Sequence, residues 1–172
     1  MPGFASEPNM ALLLLVAAFA APALTVILGS VRSRLTIPVA IVTTGISFLV
    51  ALAACFRDQD GIDAEWAPTL GVRFTLELDG LARLYALLAT GIGLAVVIYA
   101  SSYLPSHLRH QHRSDRELPR FFAFLLLFMA AMVGLVMAQD AILMFVFWDL
   151  TAIASFYLIG YDRESDDSRS SA

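Results

Sequence analysis

An acid in the middle of an apolar run is the residue here best placed to do chemistry. Asp149 lies in Phe145-Val146-Phe147-Trp148-Asp149-Leu150-Thr151, and residues 141–161 carry no other charge. A carboxyl group at mid-membrane costs about 2.5–3.5 kcal/mol on insertion scales, so one that is kept there marks a proton or cation path or pairs with a neighbour. Hydrocarbon favours the protonated acid and an adjacent cation favours the carboxylate, so whatever faces Asp149 sets its charge. A plainer use competes with this one: a protonated Asp149 donating to a hydroxyl on another helix, such as Thr43, Thr44 or Thr90. On a helix, Phe145, Ala152, Ile153 and Phe156 share the side of Asp149, while Thr151 and Ser155, candidate supporting polar groups, share a different face. Asp79 and Arg83 are two further candidates. Asp79 suits the N-cap of the helix that follows it, and Arg83 is the one basic residue inside a long apolar stretch, near its beginning.

Other polar groups read as less specific. His107, His110 and His112 stand with Asp115 and Glu117 among arginines and without a cysteine, which describes a solvated basic loop better than a metal centre. Cys55 has no partner for a disulfide within the chain and reads as a small packing residue. No motif for a nucleotide, haem or flavin appears, so no cofactor and no metal are expected. Basic patches with interleaved aromatics are missing too, which leaves nucleic-acid binding without support.

The elements that must hold Asp149 follow from composition. Apolar residues make up 59% of the 172 and charged residues 15%, beyond the roughly 45–50% apolar content of soluble domains. A helix needs roughly 20 apolar residues to cross a bilayer core. Residues 10–31, 35–56, 81–104, 121–138 and 141–161 meet that need. The first reads as a retained span rather than a signal peptide, because Glu7 and no basic residue precedes it. Arginines fall unevenly between the loops: Arg32 and Arg34, then Arg109, Arg113, Arg116 and Arg120, then Arg163 and Arg169, against Arg57 and Arg73 on the other side. The excess of positive charge belongs on the cytoplasmic side, which puts the N-terminus outside.

The expected fold is therefore an all-α integral membrane protein of about five transmembrane helices, with a short β-strand or hairpin in the outer loop between helices 2 and 3. Residues 1–56 hold helices 1 and 2, 57–80 the external loop, 81–104 helix 3, 105–120 a cytoplasmic basic loop, 121–161 helices 4 and 5, and 162–172 a polar tail. Within the external loop, Asp58, Asp60, Asp63 and Glu65 read as a solvated acidic stretch. Val72, Phe74, Leu76 and Leu78 then alternate with Arg73, Thr75, Glu77 and Asp79, the period of a strand with one buried face. A lone strand is unstable, so it must pair with residues near Trp66 or with a neighbouring chain. Pro105 and Pro119 suit a helix end and a helix start.

Two stretches resemble a known family. Arg120-Phe121-Phe122-Ala123-Phe124, then Leu125-Leu126-Leu127-Phe128-Met129, Phe145 to Thr151 and Leu158-Ile159-Gly160, together with Leu78-Asp79-Gly80-Leu81-Ala82-Arg83-Leu84, Thr90 to Gly93 and Tyr99, are similar to the large antiporter-like subunits. These include the MrpA subunit of the Mrp-type sodium/proton antiporter and the L subunit of respiratory complex I. The resemblance implies that Asp149 stands where the family carries a Glu paired with a Lys of a later helix, and Asp is a departure that shortens the reach. It also implies a bacterial inner-membrane transporter subunit working with other membrane subunits on protons and sodium. In the complex I branch, the chain would be part of an NADH:quinone oxidoreductase without its own redox site. This sequence contains no Lys, so the partner cation is expected from a continuation of the chain or from another polypeptide. The Mrp branch fits Leu126 to Trp148 better. A scaffold role without transport is the alternative of a different class.

Overall fold

A computed structural model describes residues 9–57, 60–67, 72–110 and 117–161. Among the described residues, five helices are long and apolar enough to cross a bilayer: α1 (Met10–Val31), α2 (Thr36–Ala54), α3 (Gly80–His110), α4 (Leu118–Met137) and α5 (Ala141–Ile159). A 3-10 turn, Ser33–Leu35, precedes α2, and two strands, β1 (Asp60–Ala67) and β2 (Val72–Leu78), lie between α2 and α3. The polarity is that of a multi-pass membrane protein. Large apolar side chains such as Leu49, Ile92 and Trp148 are exposed, whereas Thr25, Thr44 and Thr90 are wholly buried. Their hydroxyls donate to the carbonyls one turn back, of Ala21 at 2.8 Å, Ala40 at 2.7 Å and Ala86 at 2.7 Å. No hydroxyl proton of these three is thereby left unsatisfied in an apolar setting.

Helix α4 is the most buried of the five and packs against α1, α2, α3 and α5. Close approach comes from small residues. A Cβ on Gly93 of α3 would lie 2.7 Å from Met129 Sδ of α4, so the two helices meet where a side chain is absent. At the end near the strands, Leu14, Leu76, Leu78, Val133 and Met137 form one core. At the opposite end, Val97, Leu104, Leu108, Phe122 and Leu126 form another.

The strand expected at residues 72–79 is present and pairs, as expected, with a strand that contains Trp66; that strand reaches back to Asp60, through the stretch read as solvated and acidic. β1 and β2 are antiparallel, with Ile62 opposite Leu76 and Asp63 opposite Thr75. Each described acid of β1 has a partner distant in sequence that its charge alone concealed. Asp60 accepts from the backbone N–H of Met10 at the start of α1. Asp63 accepts from Arg73 Nε at 2.9 Å and from Nη2 at 2.7 Å, with Glu65 at 3.9 Å from the same guanidinium. Arg73 in turn holds the Asp63 carboxyl below its usual range, chiefly through these hydrogen bonds. Asp58 lies outside the described residues.

Helix α3 does not stop at Pro105 but runs on to His110. A proline removes one hydrogen bond to the preceding turn. Leu104 and Leu108, both buried against the start of α4, offset that loss by continuing the apolar seam. Pro119 does sit in the first turn of α4, where no donor is needed. Cys55 is exposed at the end of α2 rather than packed, its Sγ 3.4 Å from the Ala51 carbonyl.

Candidate functional site

Asp149 is carried by α5, whose placement begins at its first turn. The Asp140 side chain caps the helix by accepting from Ile142 N–H at 2.8 Å and Leu143 N–H at 3.4 Å. Gln139 N–H donates to the Thr75 carbonyl at 3.0 Å, and Leu76 bridges Ala138, so the α4–α5 turn is pinned to β2. From there α5 lies along α4 through a narrow stripe of Leu143, Phe147 and Ala154, all buried. The Phe147 ring rests on Gly134 so closely that any Cβ there would overlap it. Phe19 of α1 holds the ring from another side, with centroids 5.9 Å apart at 47°. Farther along, Phe124 and Tyr157 stack at 4.4 Å.

Among the described residues, the opposite side of α5 has no such cover. Phe145, Trp148, Ile153 and Phe156 are each more than half exposed, and Asp149 is exposed among them. Asp149 is the ninth of nineteen residues in the helix, roughly 12–15 Å from either end at 1.5 Å per residue. It makes no hydrogen bond or ion pair with any described residue. The hydroxyls considered as partners are engaged elsewhere: Thr43 donates to the Val39 carbonyl at 2.8 Å, and Thr44 and Thr90 also donate within their own helices.

The supporting candidates are placed apart from it. Thr151 and Ser155 are half-buried on α5 itself and donate to the carbonyls of Trp148 at 2.6 Å and Ala152 at 2.9 Å. Asp79 caps α3, accepting from Ala82 N–H at 2.7 Å. Arg83, one turn later, reaches back to the carbonyls of Leu78 at 2.9 Å and Arg57 at 2.8 Å, and so ties the ends of β2 and α2 to α3. Asp79 thus starts α3, and Arg83 holds the hairpin on the bundle, at the end from which α5 departs. Asp60 belongs with them and was hidden in the sequence by its acidic neighbours; the Asp60-Gly61 pair was the available signal. Among the described residues no three His, Cys, Asp or Glu side chains gather as a metal site. His112, Asp115 and the side chains of His107 and His110 fall outside the described residues.

Similarity to known proteins runs through these same elements. Residues 66–122 match the family model described as NADH-Ubiquinone oxidoreductase (complex I), chain 5 N-terminus. Over 132 residues, 76% of this chain, it is 38% identical to a Staphylococcus epidermidis protein that carries the name antiporter subunit mnhA2. A Staphylococcus aureus protein of the same name is 39% identical over the same length. The matched region spans 16% of the length of these relatives. In fold the chain is similar to one in the structure of the Mrp complex from Dietzia sp. DQ12-45-1b, with a TM-score of 0.72 and 32% identity, covering 87% of this chain and 16% of that one. Sequence and fold agree, and the chain belongs to the MrpA family of antiporter subunits, corresponding to an N-terminal part of them.

Proposed function

We propose that this chain is the N-terminal membrane segment of a multisubunit monovalent cation/proton antiporter of a bacterial inner membrane, and that Asp149 serves the passage of protons or sodium. The carrying observation is an acid midway along a span, on the face of α5 that packs on nothing among the described residues. Left against lipid, it would forfeit about 2.5–3.5 kcal/mol. A protein surface therefore belongs on that face; the family resemblance implies that it bears a Lys, which these residues lack and which further helices of the same polypeptide or a neighbour would supply. Paired with a carboxylate, an ammonium group holds its proton; when a proton or sodium ion neutralises Asp149, that proton is released. With the N-terminus outside, the ends rich in arginine face the cytoplasm, in keeping with the distribution of Arg32, Arg34 and Arg120.

The test is sodium-dependent proton exchange in vesicles carrying the assembled complex, comparing Asp149→Asn and Asp149→Glu with the wild type. Asparagine abolishes exchange at normal complex levels, and glutamate retains it. Unchanged exchange with asparagine rejects the role. The family model supports a second reading, a membrane-arm segment of an NADH-quinone oxidoreductase; the antiporter names of the relatives and of the structural neighbour weigh against it. In the scaffold reading, the asparagine variant changes assembly on native gels and leaves exchange per complex intact.

A further inference from the structure

At the end of the bundle away from the hairpin, an open groove of about 1080 Å³ runs between the last turns of α1 and the first turns of α4. Its walls are apolar: Ala23, Val26 and Ile27 on one side, Ala123, Phe124 and Leu127 on the other. From Pro119 to Leu127 it extends roughly 12 Å along the helix, most of the depth of one leaflet of a bilayer whose core is about 30 Å thick. Its mouth has a different chemistry. Ser30, Ser33 and Arg120 line it, and Arg32 and Arg34 are exposed in the adjoining turn. None of these three guanidinium groups is hydrogen-bonded or ion-paired to a described residue. Glu117 makes no side-chain cap for α4, whose first turn borders the mouth through Pro119 and Arg120. Glu117 is the one described acid at this end of the bundle.

We infer that this groove is a binding site for an anionic phospholipid, one acyl chain lying between α1 and α4 and the phosphate held by Arg120 with help from Arg32 or Arg34. Charge complementarity selects this occupant. A purely apolar helix would fill the walls but leave unpaired cations at the rim, while a zwitterionic lipid would bring its own cation to compete with them. An apolar wall of leaflet depth ending in arginines that have no partner among the described residues matches an acyl chain joined to a phosphate. The inference is independent of Asp149.

The experiment is native mass spectrometry of the chain as purified from membranes, titrated with palmitoyl-oleoyl phosphatidylglycerol or with the phosphatidylcholine of the same chains. One phosphatidylglycerol stays bound under conditions that strip phosphatidylcholine, and inorganic phosphate at equal concentration does not displace it. Arg120→Gln weakens retention about fivefold, the scale of one interfacial arginine, whereas Arg120→Lys retains it. Ala23→Trp, at an exposed position on the wall, removes retention by filling the groove and keeps the test decisive if the Arg120 variants do not fold. Equal retention of both lipids, displacement by phosphate, or retention unaffected by Arg120→Gln or by Ala23→Trp overturns the inference.

Discussion

Replacing Gly134 by alanine tests how α5, and with it Asp149, is held. A methyl group there overlaps the Phe147 ring, which is 5% exposed and braced by Phe19. The ring has no open side to turn into, so the clash is relieved by lifting α5 from α4. Overpacking of this kind costs about 1–3 kcal/mol. Alanine also favours the helix over glycine by about 0.8–1.0 kcal/mol, which leaves a net loss of about 0–2 kcal/mol. The net change alone is therefore a poor measure, and the coupling to Phe147 is a better one. In a Phe147→Leu background the clash is gone and only the helix preference remains, so Gly134→Ala becomes stabilising there. A double-mutant cycle on reversible unfolding in mixed micelles is expected to give a coupling of about 1–3 kcal/mol. A coupling below about 0.5 kcal/mol, the usual scatter between independent sites, refutes the view that this contact sets the position of α5. Exchange by the assembled complex should fall in Gly134→Ala and recover in part in the double variant.

Arg83→Met leaves the carbonyls of Leu78 and Arg57 without their charged donor. A loss of about 1–3 kcal/mol is expected from two such hydrogen bonds, with faster hydrogen exchange in β2 and at the end of α2; unchanged exchange there would show that the hairpin is held by other means. The hairpin also carries a pH dependence. The Asp63 carboxyl is held below its ordinary value, chiefly by hydrogen bonds from Arg73, so its contribution is complete above the ordinary carboxylate range and disappears as pH falls through the lowered folded value. Hydrogen exchange in β1 and β2, corrected for its intrinsic pH dependence, should therefore quicken on acidification from neutral pH to below the ordinary carboxylate range in the wild type but change little in Asp63→Asn. Equal responses in the two proteins would remove Arg73 and Asp63 from the account.

The five spans were legible because hydropathy over about 20 residues is a property of the chain alone, imposed by the thickness of the bilayer. Alternation in Val72 to Leu78 likewise announced a strand with one buried face, and Asp79 and Pro119 announced helix starts, since caps and first turns depend on a few adjacent residues. Asp149 stood out because a charge in an apolar run is unusual wherever the helix goes. A hairpin partner near Trp66 is expected from the sequence and β1 contains that residue, but its reach back to Asp60 was not legible in this way: from Asp60 to Glu65, charge masked a strand whose acids each meet a group far along the chain or across the hairpin. The run of α3 past Pro105 was equally hidden, because its offset comes from Leu108 meeting α4. Which side of α5 is covered was decided by the fit of Phe147 to Gly134. Local sequence fixes which segments can be helices, strands and caps; contacts between distant segments fix which faces they cover, and those depend on shapes that exist only once the helices have packed.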